Sequence, residues 1–247
     1  MKREVGELNS RIGVSEINYQ AKLVQILNHT AAVETQFLDE QSELREGFQV
    51  RATDWTAQDV SAHLSEWRLI AGAKLAAIGR NEIVKFRHDD LDELNQRNYE
   101  KHRSDSLPAT RRLITESCRL LQLSIETINQ QQWSESGQLT GLNLPLWRYA
   151  LIDSLTHPLI HMVAFYLEKQ MFQKGLALWE ESYPFLNELQ PTESLLRNYY
   201  NLESLLSDVK NEPGFRESWR RFVADNQDRA LIGKEIIAGF TSVNGID

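Results

Sequence analysis

Apolar residues recur at steps of three and four along four long stretches of the chain, the spacing that gathers side chains on one helix face. The first stretch runs from about Ser15 to Glu40, with Ile17, Leu23, Leu27 and Phe37 among its apolar positions and Ser15 placed to cap its start. The second begins at Thr56. There Thr-Ala-Gln-Asp offers a hydroxyl to the first-turn amides and sets Asp59 at the positive end of the helix dipole. Val60, Leu64, Trp67, Ala71 and Leu75 form its stripe, and it is expected to end around Gly79. The third follows Ser106, with Pro108 in its first turn and Leu113, Leu120, Leu121 and Ile128 along it. The fourth begins near Leu146 and continues past Tyr166. Between the second and third, HDDLDELNQRNYEKHRSD reads as a solvated loop with a short helix; QQQWSESGQLTGLNLP is a polar linker before the fourth. No strand-like alternation of useful length appears. Four such stripes can bury one another as a four-helix bundle, so the fold class expected is all-α.

Beyond the fourth stretch, two more helix pairs are expected: Gly175 to Leu189 with Glu193 to Asp208, then Phe215 to Phe222 with Arg229 to Phe240. Pro184, Pro191 and Pro213 punctuate them. The chain therefore divides into a bundle over 1–172 and a C-terminal helical extension over 173–247. The run Arg197-Asn-Tyr-Tyr-Asn-Leu202 resembles the final helix pair of tetratricopeptide-type repeats. One copy lacks the neighbours such repeats need to bury their faces, so an extension packed on the bundle is the simpler reading.

Composition narrows the function classes. With 12 Gly and 6 Pro in 247 residues, turn-forming residues are scarce, which favours long helices. The net charge of −8 repels phosphate backbones, so nucleic-acid binding is not expected. The N-terminal MKREVGELNSRIG lacks the apolar core of a signal peptide. The most apolar run, Leu69 to Ile78, is interrupted by Lys74 and falls short of the roughly 18 residues that span a bilayer. No membrane association is expected, and a cytoplasmic location is the default. The single cysteine, Cys118, cannot form an internal disulfide and reads as an ordinary packed thiol.

Three of the six histidines carry the candidate chemistry. His157 and His161 form H-P-L-I-H, and an i,i+4 pair on one helix face lets two imidazoles reach one metal ion. Asp153 precedes His157 by one turn, and Asp59 precedes His63 at the same spacing. A carboxylate so placed can accept the second ring N–H of a ligand histidine and fix its tautomer. The three histidines sit among apolar residues, where several imidazoles need partners to offset the cost of burial, and a shared metal would be one. Chance surface pairs and satisfied core histidines give the same spacing. His29 lies beside the first apolar stripe and near enough in pattern to approach the site, while His88 and His102 read as solvated. Glu66, one turn beyond His63, is the nearest candidate general base, although an exposed helix carboxylate explains it as well.

The stretch Thr53-Asp-Trp-Thr-Ala-Gln-Asp-Val-Ser-Ala-His-Leu-Ser-Glu-Trp67 resembles the second-helix motif of the DinB/YfiT-like superfamily, a Trp-Thr-x-x-Asp-Val-x-x-His-Leu pattern. The family's other two ligands come from an H-x3-H pair on a later helix, where His157 and His161 stand here. The resemblance covers about residues 15–172 and rests on two short motifs in the expected order. It implies a four-helix bundle holding a divalent transition metal, zinc or nickel, on His63, His157 and His161, with open positions for water or substrate. It also implies a small-molecule substrate and, by analogy with relatives that use mycothiol or bacillithiol, a low-molecular-weight thiol. Members often pair through bundle faces, so a homodimer is an expectation. Pro158 departs from the family pattern. A kink or a helix start is expected there; if the helix starts at His157, Pro158 is its first-turn proline and the alignment of Asp153 with the histidines is lost. Two functional classes remain open: a metal-dependent S-transferase or hydrolase, and a non-catalytic, metal-stabilised module that binds a protein partner.

Overall fold

The structure, a computed structural model, describes residues 17–41, 55–85, 91–136, 138–140, 144–169 and 171–189. These are mostly helical. In chain order the elements are α1 (Tyr19–Gln41), α2 (Ala57–Gly79), β1 (Val84–Lys85), α3 (Leu91–His102), α4 (Leu107–Thr127), α5 (Gln130–Ser134) and β2 (Leu139–Thr140). They are followed by α6 (Leu146–Leu151), a π-helical turn (Ile152–Thr156), α7 (His157–Glu168) and α8 (Phe172–Leu189). The two short strands pair in parallel, with Val84 opposite Leu139.

The helix starts are set by side chains that the sequence marks. Thr56 Oγ1 accepts from the Asp59 amide, while the Asp59 carboxylate accepts from the Thr56 amide, a reciprocal cap on α2. Ser106 caps α4, with Pro108 in the first turn. At α1 the cap is the side chain of Asn18, which accepts from the Ala21 amide at 3.0 Å; Ser15 lies outside the described residues. α2 ends through Arg80 and Asn81, the latter at φ 61°, a left-handed conformation that asparagine tolerates. Gly79 is needed for a different reason. A Cβ there would meet Thr127 Oγ1 at 2.5 Å, so the missing side chain permits α2 and α4 to approach closely.

α1, α2, α4 and the α6–π–α7 stretch bury their apolar stripes in one core. It includes Leu23, Leu27 and Phe37 of α1, Leu64 and Leu75 of α2, Leu121 and Ile125 of α4, and Leu155 and Leu159 of the last stretch. α2 packs most extensively on α4, and α1 touches α2, α4 and α7. α8 packs on α7 and α1, where Lys174 Nζ meets Glu40 Oε2 at 2.6 Å and His29 Nε2 lies 3.2 Å from Ser182 Oγ. α8 is thus a helix laid on α1 and α7. The helices expected after Leu189, including the tetratricopeptide-like run, lie outside the described residues.

One ion pair is sealed inside the bundle. Arg68 of α2 binds Glu34 of α1 through two hydrogen bonds of 2.6 and 2.9 Å, and both side chains are fully buried. Ser117 Oγ and Ser65 Oγ accept two more guanidinium hydrogens at 3.1 Å each. Burial alone would disfavour the Arg68 charge, but the Glu34 carboxylate outweighs it and holds the guanidinium above its ordinary pKa. Cys118 is buried near this pair, and burial pushes its thiol pKa up.

Pro158 stands in the first turn of α7, which begins at His157, but the chain does not break there, because the π-turn runs directly into α7. An α-helix would ask residue 158 to donate to the carbonyl of residue 154, and proline has no N–H to give while its ring crowds that carbonyl. The chain widens into the π-turn instead, with the His157 amide donating to the Ile152 carbonyl. Helical winding continues from Leu146 to Glu168, and Asp153 stays under His157. Among the described residues no helix is long and apolar enough to cross a membrane.

Candidate metal centre

α2 carries His63 and α7 carries His157 and His161; the structure brings all three together. One donor atom from each lies within 4.8 Å of the others. The Nε2 atoms of His63 and His157 face each other at 3.3 Å. Ring centroids are 5.2 Å apart for His63–His157, 4.9 Å for His63–His161 and 4.8 Å for His157–His161. His63 and His157 are buried, whereas His161 keeps some surface exposed.

Proton bookkeeping tests whether a metal fits. His157 Nδ1 lies 3.0 Å from Asp153 Oδ1. An ionised carboxylate only accepts, so Nδ1 carries the hydrogen and a neutral His157 turns its Nε2 lone pair toward His63. His63 Nδ1 is buried with no hydrogen-bond partner. If His63 keeps its hydrogen on Nε2 to satisfy His157, its Nδ1 lone pair is stranded. If the hydrogen sits on Nδ1, two Nε2 lone pairs confront each other, an arrangement that a cation between them makes favourable. The 3.3 Å separation matches the edge of a tetrahedron of nitrogens around zinc, about 3.3 Å for Zn–N bonds of about 2.0–2.1 Å. The full triangle is somewhat wider, so it would tighten on binding.

The electrostatics suit neutral ligands. Burial, reinforced by the neighbouring His161 and His157, holds the His63 pKa well below the ordinary imidazole value. Removal of water around its ring, and then His157, does the same for His161. Both imidazoles thus offer lone pairs at neutral pH and below, as metal ligation requires.

The two carboxylates expected beside the ligands differ in placement. Asp153 is buried and bonded to His157. Asp59 is spent on the helix cap, its Oδ2 accepting from both the amide and the hydroxyl of Thr56 at 2.8 and 2.7 Å. Position three of a helix is where a carboxylate best reaches back to the cap residue, and this local contact takes Asp59 away from His63.

Glu66 is buried, and its Oε1 accepts from Lys101 Nζ at 2.6 Å and His102 Nε2 at 2.7 Å. Burial raises its pKa, but these two bonds from α3 overcome it and leave the carboxyl below its ordinary value. Glu66 is therefore a weaker base than a free carboxylate and ties α3 to α2. His102 is not the solvated residue its charged surroundings suggested. Its side chain is only 10 % exposed and lies between Glu66 and Asp105, with Nδ1 2.7 Å from Asp105 Oδ2. His29 faces α8, stacking on Phe185 at 4.3 Å, and takes no part in the cluster. His88 falls outside the described residues.

Aromatic rings surround the histidines, and the sequence reading assigned them no site role. Trp55 lies 4.8 Å from His63, 6.4 Å from His161 and parallel to Tyr99 at 6.1 Å. Trp67 presents its ring to His63 at 6.3 Å and His157 at 6.0 Å, and its indole N–H donates to Asn95 Oδ1 at 3.1 Å. The step of four from His63 to Trp67 was the available sequence signal; nothing local marks Tyr99.

Comparison of the chain with protein-family models, with curated proteins and with solved structures gives no match.

Proposed function

We propose that this chain binds one divalent transition metal, zinc or nickel, through His63, His157 and His161 and uses it as a metal-dependent enzyme of the DinB-like kind. The observation that carries the reading is the pair of opposed Nε2 atoms of His63 and His157, 3.3 Å apart inside the bundle, with His161 completing the triangle. A metal held by three neutral imidazoles would keep its positive charge and lower the pKa of a water or thiol in an open position. Asp153 fixes the His157 tautomer so that Nε2 is the donor. The Trp55 and Trp67 rings lie against His63, at 4.8 and 6.3 Å. Glu66 holds α3, and with it Tyr99 and Asn95, beside the site. The reaction classes that fit are transfer of a low-molecular-weight thiol to an electrophilic carbon and hydrolysis of an activated bond.

The test is a screen of metal-loaded protein with simple thiols plus an aryl halide, and with activated esters. Turnover above background that disappears in His161→Ala supports an enzyme. Stoichiometric metal with no turnover across both sets would favour the second reading, a metal-stabilised helical module. That reading draws on α8, which extends the bundle through contacts with α1 and α7.

A further inference from the structure

The side of the histidine cluster that reaches the surface is aromatic. His161 is the ligand with exposed area; Trp55 lies 6.4 Å from it, Tyr99 stacks on Trp55, Trp67 borders His63 and His157, and all three rings are half-buried. These rings are held in place from α3. Tyr99 lies parallel to Trp55, within 1°, and Asn95 fixes the Trp67 indole. α3 is in turn clamped to α2 by Lys101 and His102 on Glu66. Glu66 is paired with Lys101 and His102, and His102 with Asp105.

Resting on the metal-centre reading above, we propose that the site takes small molecules with an anionic head and a flat aromatic body, the head at the metal and the body against Trp55, Tyr99 and Trp67. The head follows from charge. Three neutral imidazoles leave a divalent ion with its full charge, and the buried Asp153 carboxylate offsets only part of it, so an anion is attracted and a cation repelled. The body follows from the walls. Parallel and edge-on ring contacts favour a planar apolar partner over a flexible aliphatic one of similar size. The walls are pre-positioned by the α3 clamp, which reduces the ordering cost of binding.

The experiment compares benzohydroxamate with acetohydroxamate by titration calorimetry on metal-loaded protein. The two share a head and differ in the body, and metal content is measured after gel filtration. Wild type is expected to prefer the aryl ligand by about tenfold or more. Tyr99→Leu and Trp55→Leu are expected to reduce that preference to about threefold or less. Tyr99 meets Trp55 and not a histidine ring among the described residues, so its variant separates the wall from the ligand set. Equal affinity in wild type, or a preference retained by both variants, overturns the proposal while leaving the metal centre standing. Binding of phenyltrimethylammonium in place of the hydroxamate also overturns it. A wild-type protein that holds no metal overturns the metal centre and this proposal together.

Discussion

Asp153 Oδ1 lies 3.0 Å from His157 Nδ1, and this contact across the π-turn decides which nitrogen of His157 is left to donate. The predicted consequence is a change in metal affinity more than in fold. Asp153→Ala is expected to weaken metal binding by about 10–100-fold, with Asp153→Asn intermediate because its amide oxygen can still accept. Competition against a chromophoric chelator measures this. Affinity unchanged in Asp153→Ala would remove Asp153 from the site.

The histidines also give the metal-free protein a pH dependence with a definite sign. His63 and His161 have folded pKa values below the ordinary imidazole value, so the unfolded chain binds more protons than the folded one. Their contribution is fully present above the unfolded value, about 6.5, and is lost as pH falls through the folded values. Urea titrations from pH 8 down to pH 5 should show stability declining below about 6.5. The slope should be shallower in His63→Phe. A flat profile would mean that these rings are solvated.

Breaking the sealed pair between Arg68 and Glu34 should be costly. Glu34→Gln leaves a buried guanidinium without its counter-charge and is expected to destabilise the protein by about 3–5 kcal/mol. Replacing both partners with apolar residues of similar volume should recover much of that loss. Equilibrium unfolding of the single and double variants decides it; a Glu34→Gln loss below about 1 kcal/mol would contradict the geometry described.

Glu66→Gln should act locally. Removing the charge that receives Lys101 and His102 is expected to speed amide exchange in α3 while leaving exchange in α2 and α4 nearly unchanged. Uniform acceleration across all three helices would mean that Glu66 supports the whole bundle and not this clamp.

The parts of the fold legible in the sequence are those fixed by local signals. Thr56 and Ser106 mark helix starts because their hydroxyls serve amides three residues away. The H-x3-H spacing placed His157 and His161 on one face of a helix. Features that depend on neighbours were not legible. The π-turn answers a clash between Pro158 and its own preceding turn, whereas the letters alone pointed to a kink or a helix start. His102 looked solvated because the residues around it are charged, whereas its environment is set by Glu66 on another helix. Asp59 is a conflict between two local signals: its spacing to His63 suggested a site role, but the Thr56-x-x-Asp59 cap takes its carboxylate. The Glu34–Arg68 pair joins two helices whose register no local pattern specifies.

The central claim is a shared three-histidine metal centre. Its most direct test is elemental analysis of protein purified without a histidine tag, after incubation with zinc or nickel and removal of excess ion. Wild type should retain about one equivalent, and His63→Ala, His157→Ala and His161→Ala should each lose most of it while keeping a helical circular-dichroism spectrum. Folded wild type that retains no metal, or three alanine variants that retain as much as wild type, would contradict the account.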